Sequence, residues 1–404
     1  MDAIRILLLD TGKEWGGGTN SMIELLKRID RNRFHVTALF FENYAKGSGS
    51  DLRSELAKIN VPLQLMPRLR QPLWAKIAKE VLRSSFFWSK TLRAQLVFEI
   101  DYLWRIRPNS RRISEKIREY RSDLLYLNNQ PSSNLEGYLA ARDTNVPLVQ
   151  HARIVSQLNR KEVKITNAHV NQIICVSKGV QDDLVRQGVD PEKCMVVYNG
   201  IDIHQVAAPQ TQMENFYSAD QSRPIVIGTV GQLTPRKSVD HLLDAISRLH
   251  REGTQSLNIK IVGEGSQRES LEQQTARLGL TSIVTFTGFL ANPLNVMSDF
   301  DIFVLASAAE GFPRVILEAM FLGKPVVATR VAGAEELVQP NVTGFLYEYG
   351  DISTLTSHLQ RLIADGSLRI KLGDAGRRDV QNRYDIERYV RGVESVLANA
   401  RVGK

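Results

Sequence analysis

The chain has 404 residues, of which 43% are hydrophobic and 24% charged, and its formal net charge is +8. This length predicts two or three domains, and the composition is typical of a globular protein rather than a disordered or fibrous one. No apolar run reaches the roughly 18 residues that a spanning helix needs, and the N-terminal IRILLLD is a better buried strand than signal peptide. Cys175 and Cys194 lie in apolar runs and are predicted to be buried thiols, so we expect a cytoplasmic protein.

The first half of the chain alternates apolar runs with helical patterns. The first predicted strand, Ile4–Asp10, is followed by a glycine turn at residues 16–18 and by a predicted helix over residues 21–28. Further strands are predicted at FHVTALFF, DLLYLNN, VPLVQHA, QIICVS and CMVVYNG. Such alternation is typical of parallel strands joined by crossover helices.

A polar, irregular stretch at residues 204–223 separates this first domain, residues 1–203, from a second series of strands. That series, PIVIGTVG, NIKIVGEG, VTFTGFL, DIFVLAS and PVVATR, predicts a second domain over residues 224–380. We expect residues 381–404 to form a helical tail that packs back on the first domain. The predicted fold is therefore α/β, with two doubly wound Rossmann-like domains facing across a cleft, and ligands bind such sheets beyond the carboxyl ends of their strands.

One segment of the second domain, EGFPRVILEAMFLGKPVVATRVAGAEELV, places two glutamates around a predicted helix start. Pro313 suits the first helical turn, and the N–H groups and dipole of that turn favour an anion. Gly311 lets a ligand approach the backbone closely. A ligand that combines phosphate with sugar hydroxyls would use these groups together with Glu310 and Glu318, although either glutamate alone is as well explained as a solvated side chain.

Residues 310–328 resemble the signature of glycosyltransferase family four, a large family of retaining enzymes with the GT-B fold. The resemblance covers both halves of the chain. It implies a hexosyltransferase-type enzyme that uses a nucleotide-sugar donor and no metal or other cofactor. It also implies that Glu318 binds the ribose hydroxyls, and that Glu310 and the backbone at Gly311, Phe312, Pro313 and Arg314 hold the transferred sugar.

A basic turn, GTVGQLTPRKSVD, follows the first strand of the second domain. Arg236 and Lys237 lie there at a strand-to-helix junction, where fixed cations would stabilise a leaving diphosphate. The alternative is a solvated basic turn. Lys237 matches the lysine of the family, whereas Gln232 occupies the position of the family's arginine, which leaves open whether Arg236 replaces that arginine.

Three glycine-bearing loops follow other strands, and each alone is more often a plain turn. The resemblance implies that VGEG and TGFL surround the nucleobase and that the glycine turn of the first domain approaches the donor phosphate. The donor contacts expected from these loops are Gly17, Gly18, Gly263, Glu264, Gly288 and Phe289.

His151 ends a predicted strand of the first domain, at a position where the family places a histidine near the transferred sugar. We expect it to act with Glu310, Lys237 and Arg236 as the catalytic group, although a lone histidine is more often structural. The Asp299-Phe300-Asp301 triplet has the pattern of a metal-binding D-x-D, but it precedes a strand at its amino end and is predicted to be a turn. We therefore expect no metal site.

Residues 68–121 hold 14 Lys and Arg against five Asp and Glu, a local net charge of +9 that leaves the remainder near −1. Aromatic residues are interleaved with these cations, namely Trp74, Phe86, Phe87, Trp88 and Trp104. This composition favours an anionic membrane surface and a lipid-linked or envelope glycan acceptor, as in lipopolysaccharide, exopolysaccharide or glycolipid biosynthesis. The alternatives are a helical insertion packed on its own domain, a soluble small-molecule acceptor, or an inactive nucleotide-sugar-binding module. We expect no nucleic-acid partner.

Overall fold

The computed structural model describes residues 3–12, 15–47, 49–86, 88–203, 223–254 and 256–402. Two parallel sheets dominate the described residues, which confirms the predicted pair of doubly wound α/β domains. The predicted linker at residues 204–223 lies outside the described residues, except for Arg223. The predicted buried thiols are confirmed, since Cys175 and Cys194 are free and buried.

The first sheet has the strand order β5-β2-β1-β6-β7-β8-β9. Its strands are β1 (Ile4–Asp10), β2 (Phe34–Phe40), β5 (Leu63–Leu65), β6 (Leu124–Asn128), β7 (Leu148–Ala152), β8 (Gln172–Cys175) and β9 (Cys194–Val196). A short antiparallel pair stands apart from it, β3 (Ala45–Lys46) and β4 (Ser50–Asp51). The short edge strand β5 was not predicted from the sequence.

Helices surround this sheet on both faces. They are α1 (Gly17–Arg28), α2 (Leu52–Lys58), α3 (Leu73–Ser85), α4 (Lys90–Asp101), α5 (Arg107–Glu119), α6 (Leu135–Thr144), α7 (Arg160–His169) and α8 (Lys178–Arg186). A π-helical turn, Tyr102–Ile106, joins α4 to α5. The strand β1 shows why both faces are covered: Leu7 and Leu9 belong to one apolar cluster, whereas Ile6 and Leu8 belong to another. A near-continuous apolar run is typical of a strand buried on both sides.

The second sheet has the order β12-β11-β10-β13-β14-β15. Its strands are β10 (Ile225–Val230), β11 (Leu257–Val262), β12 (Val284–Gly288), β13 (Ile302–Leu305), β14 (Val326–Thr329) and β15 (Gly344–Tyr347). The accompanying helices are α9 (Val239–Arg251), α10 (Arg268–Arg277), α11 (Leu294–Ser298), α12 (Arg314–Phe321), α13 (Ala332–Leu337), α14 (Ile352–Ala364) and α15 (Gly366–Arg383). The strand β15 was not predicted.

The last helix, α16 (Ile386–Val402), leaves the second domain and packs on the first. Its residues Tyr389, Val393 and Leu397 are buried in the same apolar cluster as Ile6 and Leu8 of β1. The backbone of Ile201 and the chain just before α16 exchange hydrogen bonds, since Ile201 N donates to Tyr384 O at 2.9 Å and Ile386 N to Ile201 O at 3.0 Å. The second crossing between the domains is thereby fixed. Among the described residues, no helix combines the length and the apolar character needed to cross a bilayer.

Candidate active site

The strand order of each sheet predicts where a ligand binds. In the second sheet the chain moves from β10 to β11 on one side and later places β13 on the other, so a crevice opens beyond the carboxyl ends of β10 and β13. A small cleft lies at this point, lined by residues 229–233 after β10, residues 305–307 after β13 and the side chain of Lys237. This crevice is where the sequence places Arg236, Lys237 and Glu310.

The carboxylate of Glu310 is buried and is shared by two cations. Lys237 Nζ donates to Glu310 Oε1 at 2.6 Å, and Arg236 Nη1 lies 3.1 Å from the same oxygen. Arg236 also donates to the carbonyl of Ala309 at 2.7 Å. Burial raises the pKa of Glu310, but the charges of Lys237 and Arg236 outweigh burial and lower that pKa below its ordinary value. Glu310 is therefore ionised at neutral pH, and the cluster keeps one positive charge in excess.

The basic turn itself is built by local backbone constraints. Residues Pro235–Lys237 form a single 3-10 turn, and the following Ser238 starts α9 with φ of 45°. A left-handed conformation of a serine is uncommon and is concentrated at functional sites. Ala308 N donates to Arg236 O at 2.8 Å, which ties this turn to the loop after β13. The two strands across the crevice thus hold Lys237 and Glu310 together.

Gln232, at the position of the family's arginine, reaches the first domain. Its Nε2 lies 3.4 Å from the carbonyl oxygen of Trp15, which precedes the glycine turn. Gly263 lies beneath the same loop with φ of 138°, and a Cβ there would come within 1.9 Å of Gly231 O. A glycine is thus required at position 263 for reasons of backbone packing.

Glu318 follows Glu310 on the first turns of α12, and its environment is different. Burial raises the pKa of Glu318, while the charge of Arg314 opposes this effect. The two side chains are 3.6 Å apart, between Arg314 Nη2 and Glu318 Oε1. Arg314 Nη1 is buried and has no hydrogen-bond partner among the described residues. Both groups therefore retain hydrogen-bonding capacity that a ligand can use.

The first domain presents its glycine turn and one arginine to the crevice. Gly17 and Gly18 are the first residues of α1, whose N-cap, Gly16, supplies no side-chain cap for the free N–H groups. A Cβ at Gly18 would lie 3.7 Å from Arg153 Cγ, and one at Gly311 only 2.2 Å from Arg153 O. Arg153 therefore lies between the glycine turn and the loop that carries Glu310.

Arg153 was missed by the sequence interpretation. Its guanidinium donates to Asn128 Oδ1 at 2.9 Å, to Asn199 Oδ1 at 3.2 Å and to Tyr389 Oη at 3.3 Å. Asn199 in turn donates to Phe312 O at 3.2 Å. The only sequence signal was a lone arginine just after a strand, whereas the structure shows that it connects both domains.

The remaining predicted base contacts lie at the far side of the crevice. Gly288 and Phe289 follow β12, and a Cβ at Gly47 of the first domain would come within 2.4 Å of the Phe289 ring. Glu264 Oε1 accepts a hydrogen bond from Arg268 at 3.0 Å. In this structure, therefore, Phe289 closes the crevice against the first domain.

His151 is not in the cleft, contrary to our expectation. Its side chain is fully buried on the face of β7 that α16 covers, between the rings of Tyr126 and Tyr389. Its Nδ1 is 2.6 Å from Tyr126 Oη. Burial, reinforced by the charge of Arg153, lowers the pKa of His151 well below its ordinary value, so the imidazole is neutral. The geometry gives His151 a structural position beneath Arg153.

The Asp299 and Asp301 carboxylates hold neighbouring cations at the amino end of β13. Asp301 accepts from Arg223 Nη2 at 2.6 Å and from Val226 N at 2.8 Å, and Asp299 accepts from Lys260 at 3.1 Å. They lie at the sheet edge opposite the crevice. Among the described residues, no three His, Cys, Asp or Glu side chains are grouped so as to hold a metal.

Two family models match the chain in succession. Residues 15–205 match the model described as Glycosyltransferase Family 4, and residues 212–379 match the model described as Glycosyl transferases group 1. The boundary between the matches falls within the predicted linker.

Curated relatives and a solved structure give the same picture. The capsular polysaccharide biosynthesis glycosyltransferase CapM of Staphylococcus aureus is 28% identical over 229 residues, which are 55% of this chain and 60% of the relative. The lipopolysaccharide 1,6-galactosyltransferase of Salmonella typhimurium is 28% identical over 198 residues, 47% of this chain and 52% of the relative. The chain thus spans little more than half the length of these relatives. The Anabaena protein HepE, crystallised with UDP-glucose, superposes with a TM-score of 0.75 at 25% identity over 98% of this chain and all of that one.

Proposed function

Because the chain belongs to glycosyltransferase family 4 and has the GT-B fold, we propose that it transfers a sugar from a nucleotide sugar to an acceptor hydroxyl, with retention of anomeric configuration and without a metal ion. The observation that carries the proposal is the buried Glu310 carboxylate held by Lys237 and Arg236 at the crevice between β10 and β13. One positive charge remains in excess there, as a bound diphosphate requires.

The proposed chemistry follows from these charges. Negative charge develops on the nucleoside diphosphate as the bond to the sugar breaks, and fixed cations at that position lower the barrier. Lys237 and Arg236 are already oriented by Glu310, so they need little reorganisation when the diphosphate arrives. The N-terminus of α1 adds N–H groups from the opposite side of the crevice.

The two glutamates of α12 and its preceding loop have separate proposed roles. Glu310, ionised and close to the diphosphate cations, would accept hydrogen bonds from hydroxyls of the transferred sugar. Glu318, with spare hydrogen-bonding capacity, would bind the ribose hydroxyls. The crystal structures of the Anabaena protein with UDP and UDP-glucose support a nucleotide-sugar donor for this fold.

A thermal-shift screen with UDP-, GDP- and ADP-sugars tests the donor proposal. We expect at least one nucleotide sugar to raise the melting temperature, and the same nucleoside diphosphate alone to do so as well. A protein that none of these ligands stabilises, and that hydrolyses none of them, would be a binding module of another kind.

We also propose that the acceptor is a lipid-linked or envelope glycan and that the protein acts at the cytoplasmic face of the membrane. Support comes from the printed functions of the capsular polysaccharide and lipopolysaccharide relatives. The runner-up acceptor is a soluble sugar or small metabolite, which would need no membrane.

The helical segment of the first domain supports a peripheral membrane position. On α3, Leu73, Trp74, Ile77 and Val81 are between 50% and 71% exposed, at the spacing of one helix face. These four residues are called the α3 ridge below. Exposed apolar side chains beside a concentration of cations suit the interface of an anionic bilayer.

A further inference from the structure

The first sheet has a switch point of its own, between β1 and β6, and the donor site does not account for the side chains there. The chain runs from β1 to β2 on one side, while β6 lies on the other. Beyond the carboxyl ends of these strands lie Thr11, Arg68, Arg105 and Glu136, called the β1/β6 cluster below. By the rule that places the donor between β10 and β13, a second ligand belongs here.

Glu136 is the most unusual member of the β1/β6 cluster. Its side chain is 97% buried, and Oε2 has no hydrogen-bond partner among the described residues. Oε1 has one long contact, 3.4 Å from Arg105 Nη1. Burial raises the pKa of Glu136, and the charges of Arg105 and Arg68 oppose this effect. A buried carboxyl with an unused oxygen is costly unless a ligand or water completes its hydrogen bonds.

The two arginines are fixed at their bases and partly exposed at the cluster. Arg68 donates to the carbonyl of Thr11 at 2.8 Å and also to Glu42, while Thr11 Oγ1 donates to Ser133 O at 3.1 Å. Arg105 projects from the π-helical turn between α4 and α5, a rare element that is frequent at functional sites. The cluster therefore holds two cations and one carboxyl.

The backbone beside the cluster is also unusual. Asn129, the residue after β6, has φ of 149°, which asparagine rarely adopts. The loop that begins at Thr11 continues to Trp15 and the glycine turn, where it meets Gln232 of the second domain. The β1/β6 cluster and the donor crevice therefore share one connecting loop.

We propose that the β1/β6 cluster is the acceptor subsite, in which Arg68 and Arg105 bind a phosphate or diphosphate group of the acceptor and the free oxygen of Glu136 accepts a neighbouring sugar hydroxyl. Planar guanidinium groups match phosphate oxygens, and each such contact is a charge-assisted hydrogen bond. This inference rests on the proposed transfer function, because it names what receives the sugar.

Two sources present this chemistry, a lipid-linked glycan and a free sugar phosphate. The α3 ridge begins shortly after Arg68, and Lys79 of α3 donates to Asp101 Oδ1, which also accepts from Trp104 Nε1 at 2.8 Å. The ridge is thereby connected to the turn that carries Arg105. A lipid-linked acceptor would engage both the cluster and the ridge, whereas a free sugar phosphate would engage only the cluster.

The test is a titration of the full chain, by calorimetry, with glucose 1-phosphate as a soluble probe and glucose as its uncharged counterpart. The donor site is first saturated with the nucleoside diphosphate that the donor screen identifies. Arg68→Gln, Arg105→Gln and Glu136→Gln are compared with Arg111→Gln, which removes an exposed arginine of the same helical segment outside the cluster.

We expect wild type and Arg111→Gln to bind glucose 1-phosphate and not glucose. Each of the two cluster arginine variants should weaken this binding about tenfold or more, because each loses a hydrogen bond to a charged group. Glu136→Gln should weaken glucose 1-phosphate and leave inorganic phosphate unaffected. Nucleoside diphosphate affinity should be the same in all variants, and melting temperatures identify any variant that fails to fold.

A second pair of probes separates the two sources. Tighter binding of farnesyl diphosphate than of pyrophosphate, lost on replacing Ile77 with Ser, identifies a lipid-linked acceptor, and equal binding identifies a free phosphate. The inference is overturned if wild type binds no phosphate probe, or if the cluster variants bind as Arg111→Gln does while nucleotide binding is intact. Absence of nucleotide binding in wild type would instead refute the proposed function.

Discussion

Glu310 and Glu136 occupy related places in the two sheets, and their charges are compensated to different degrees. Each follows the strand that lies across the switch point, β13 in one domain and β6 in the other. Glu310 has two cations within 3.1 Å and a lowered pKa. Glu136 has one contact at 3.4 Å, an unpartnered oxygen and a raised pKa. The donor crevice is thus assembled before any ligand binds, whereas the first domain leaves its hydrogen bonds incomplete.

The strongest test of a preassembled donor crevice is Lys237→Ala. We expect the turnover number to fall about 10²–10³-fold, the loss typical of removing one fixed group that stabilises developing negative charge. The measurement is release of nucleoside diphosphate from the donor under saturating conditions. Lys260→Ala, at the opposite edge of the same sheet, is the control and should keep wild-type turnover. Turnover within twofold of wild type in Lys237→Ala would show that the cations do not carry the diphosphate charge.

The glutamate pair gives the next largest effects, and the two should separate. Glu318→Gln should weaken nucleotide binding, and Glu310→Gln should mainly lower turnover. Each change removes a charged hydrogen bond worth about 1.5–3 kcal/mol, which is a factor of roughly ten to one hundred and fifty. Equilibrium titration with the nucleotide and steady-state kinetics measure the two quantities separately. Full activity in a Glu310/Glu318 double variant would contradict both assignments.

Membrane binding extends the comparison to the outer surface of the first domain. Replacing Arg83, Lys90 and Arg93 with Glu should lower binding to vesicles that contain anionic lipid by about tenfold or more, because each cation near such a surface contributes about 1 kcal/mol. High salt should release wild type only partly, since burial of the α3 ridge is not screened. Cosedimentation with neutral and anionic vesicles measures both effects.

The control replaces three exposed cations of the second domain, Arg248, Arg277 and Lys371, with Glu. This variant should bind vesicles as wild type does, and both triple variants should keep wild-type nucleotide affinity. Equal binding of wild type to neutral and anionic vesicles, or binding to neither, would reduce residues 68–121 to a helical insertion of the first domain.

The smallest expected effect is on the pH dependence of stability. Because the folded-state pKa of Glu310 is lowered, its contribution to the free energy of unfolding is complete above the unfolded-state value, about 4.3, and is lost as pH falls through the lower folded-state value. Glu310→Gln should therefore melt a few degrees below wild type at pH 6–7, and the gap should narrow in acid. A gap that stays constant from pH 7 down to pH 3 would mean that Lys237 and Arg236 do not stabilise the carboxylate.

The extent of sequence prediction differs in the same way between the two regions. The loop and helix that carry Glu310 and Glu318 were predicted because all their determinants lie within a few residues: an apolar strand, a Gly-Phe-Pro turn and an apolar helix. The pairing of Glu310 with Lys237 spans 73 residues and follows only from the order of the parallel strands. That order could be inferred in general terms, which brought both residues to one edge.

The positions of His151, Arg153 and Glu136 could not be inferred in this way. All five residues of β7 are buried, so the run gives no alternation to show which side His151 faces. Arg153 and Glu136 have no neighbouring motif, and their partners lie at least 25 residues away in sequence. The α3 ridge has the pattern of any amphipathic helix, which is the same whether a protein core, a membrane or solvent covers its apolar face.

Consumption of a nucleotide sugar in the presence of EDTA tests the central claim most directly. The purified protein is incubated with the donor that the thermal-shift screen selects, and release of nucleoside diphosphate is followed for wild type and for Lys237→Ala. The account predicts steady release by wild type, unchanged by EDTA or by added Mg²⁺ or Mn²⁺, and near-complete loss in the variant. Activity abolished by EDTA and restored by either ion, with Lys237→Ala as active as wild type, would contradict it.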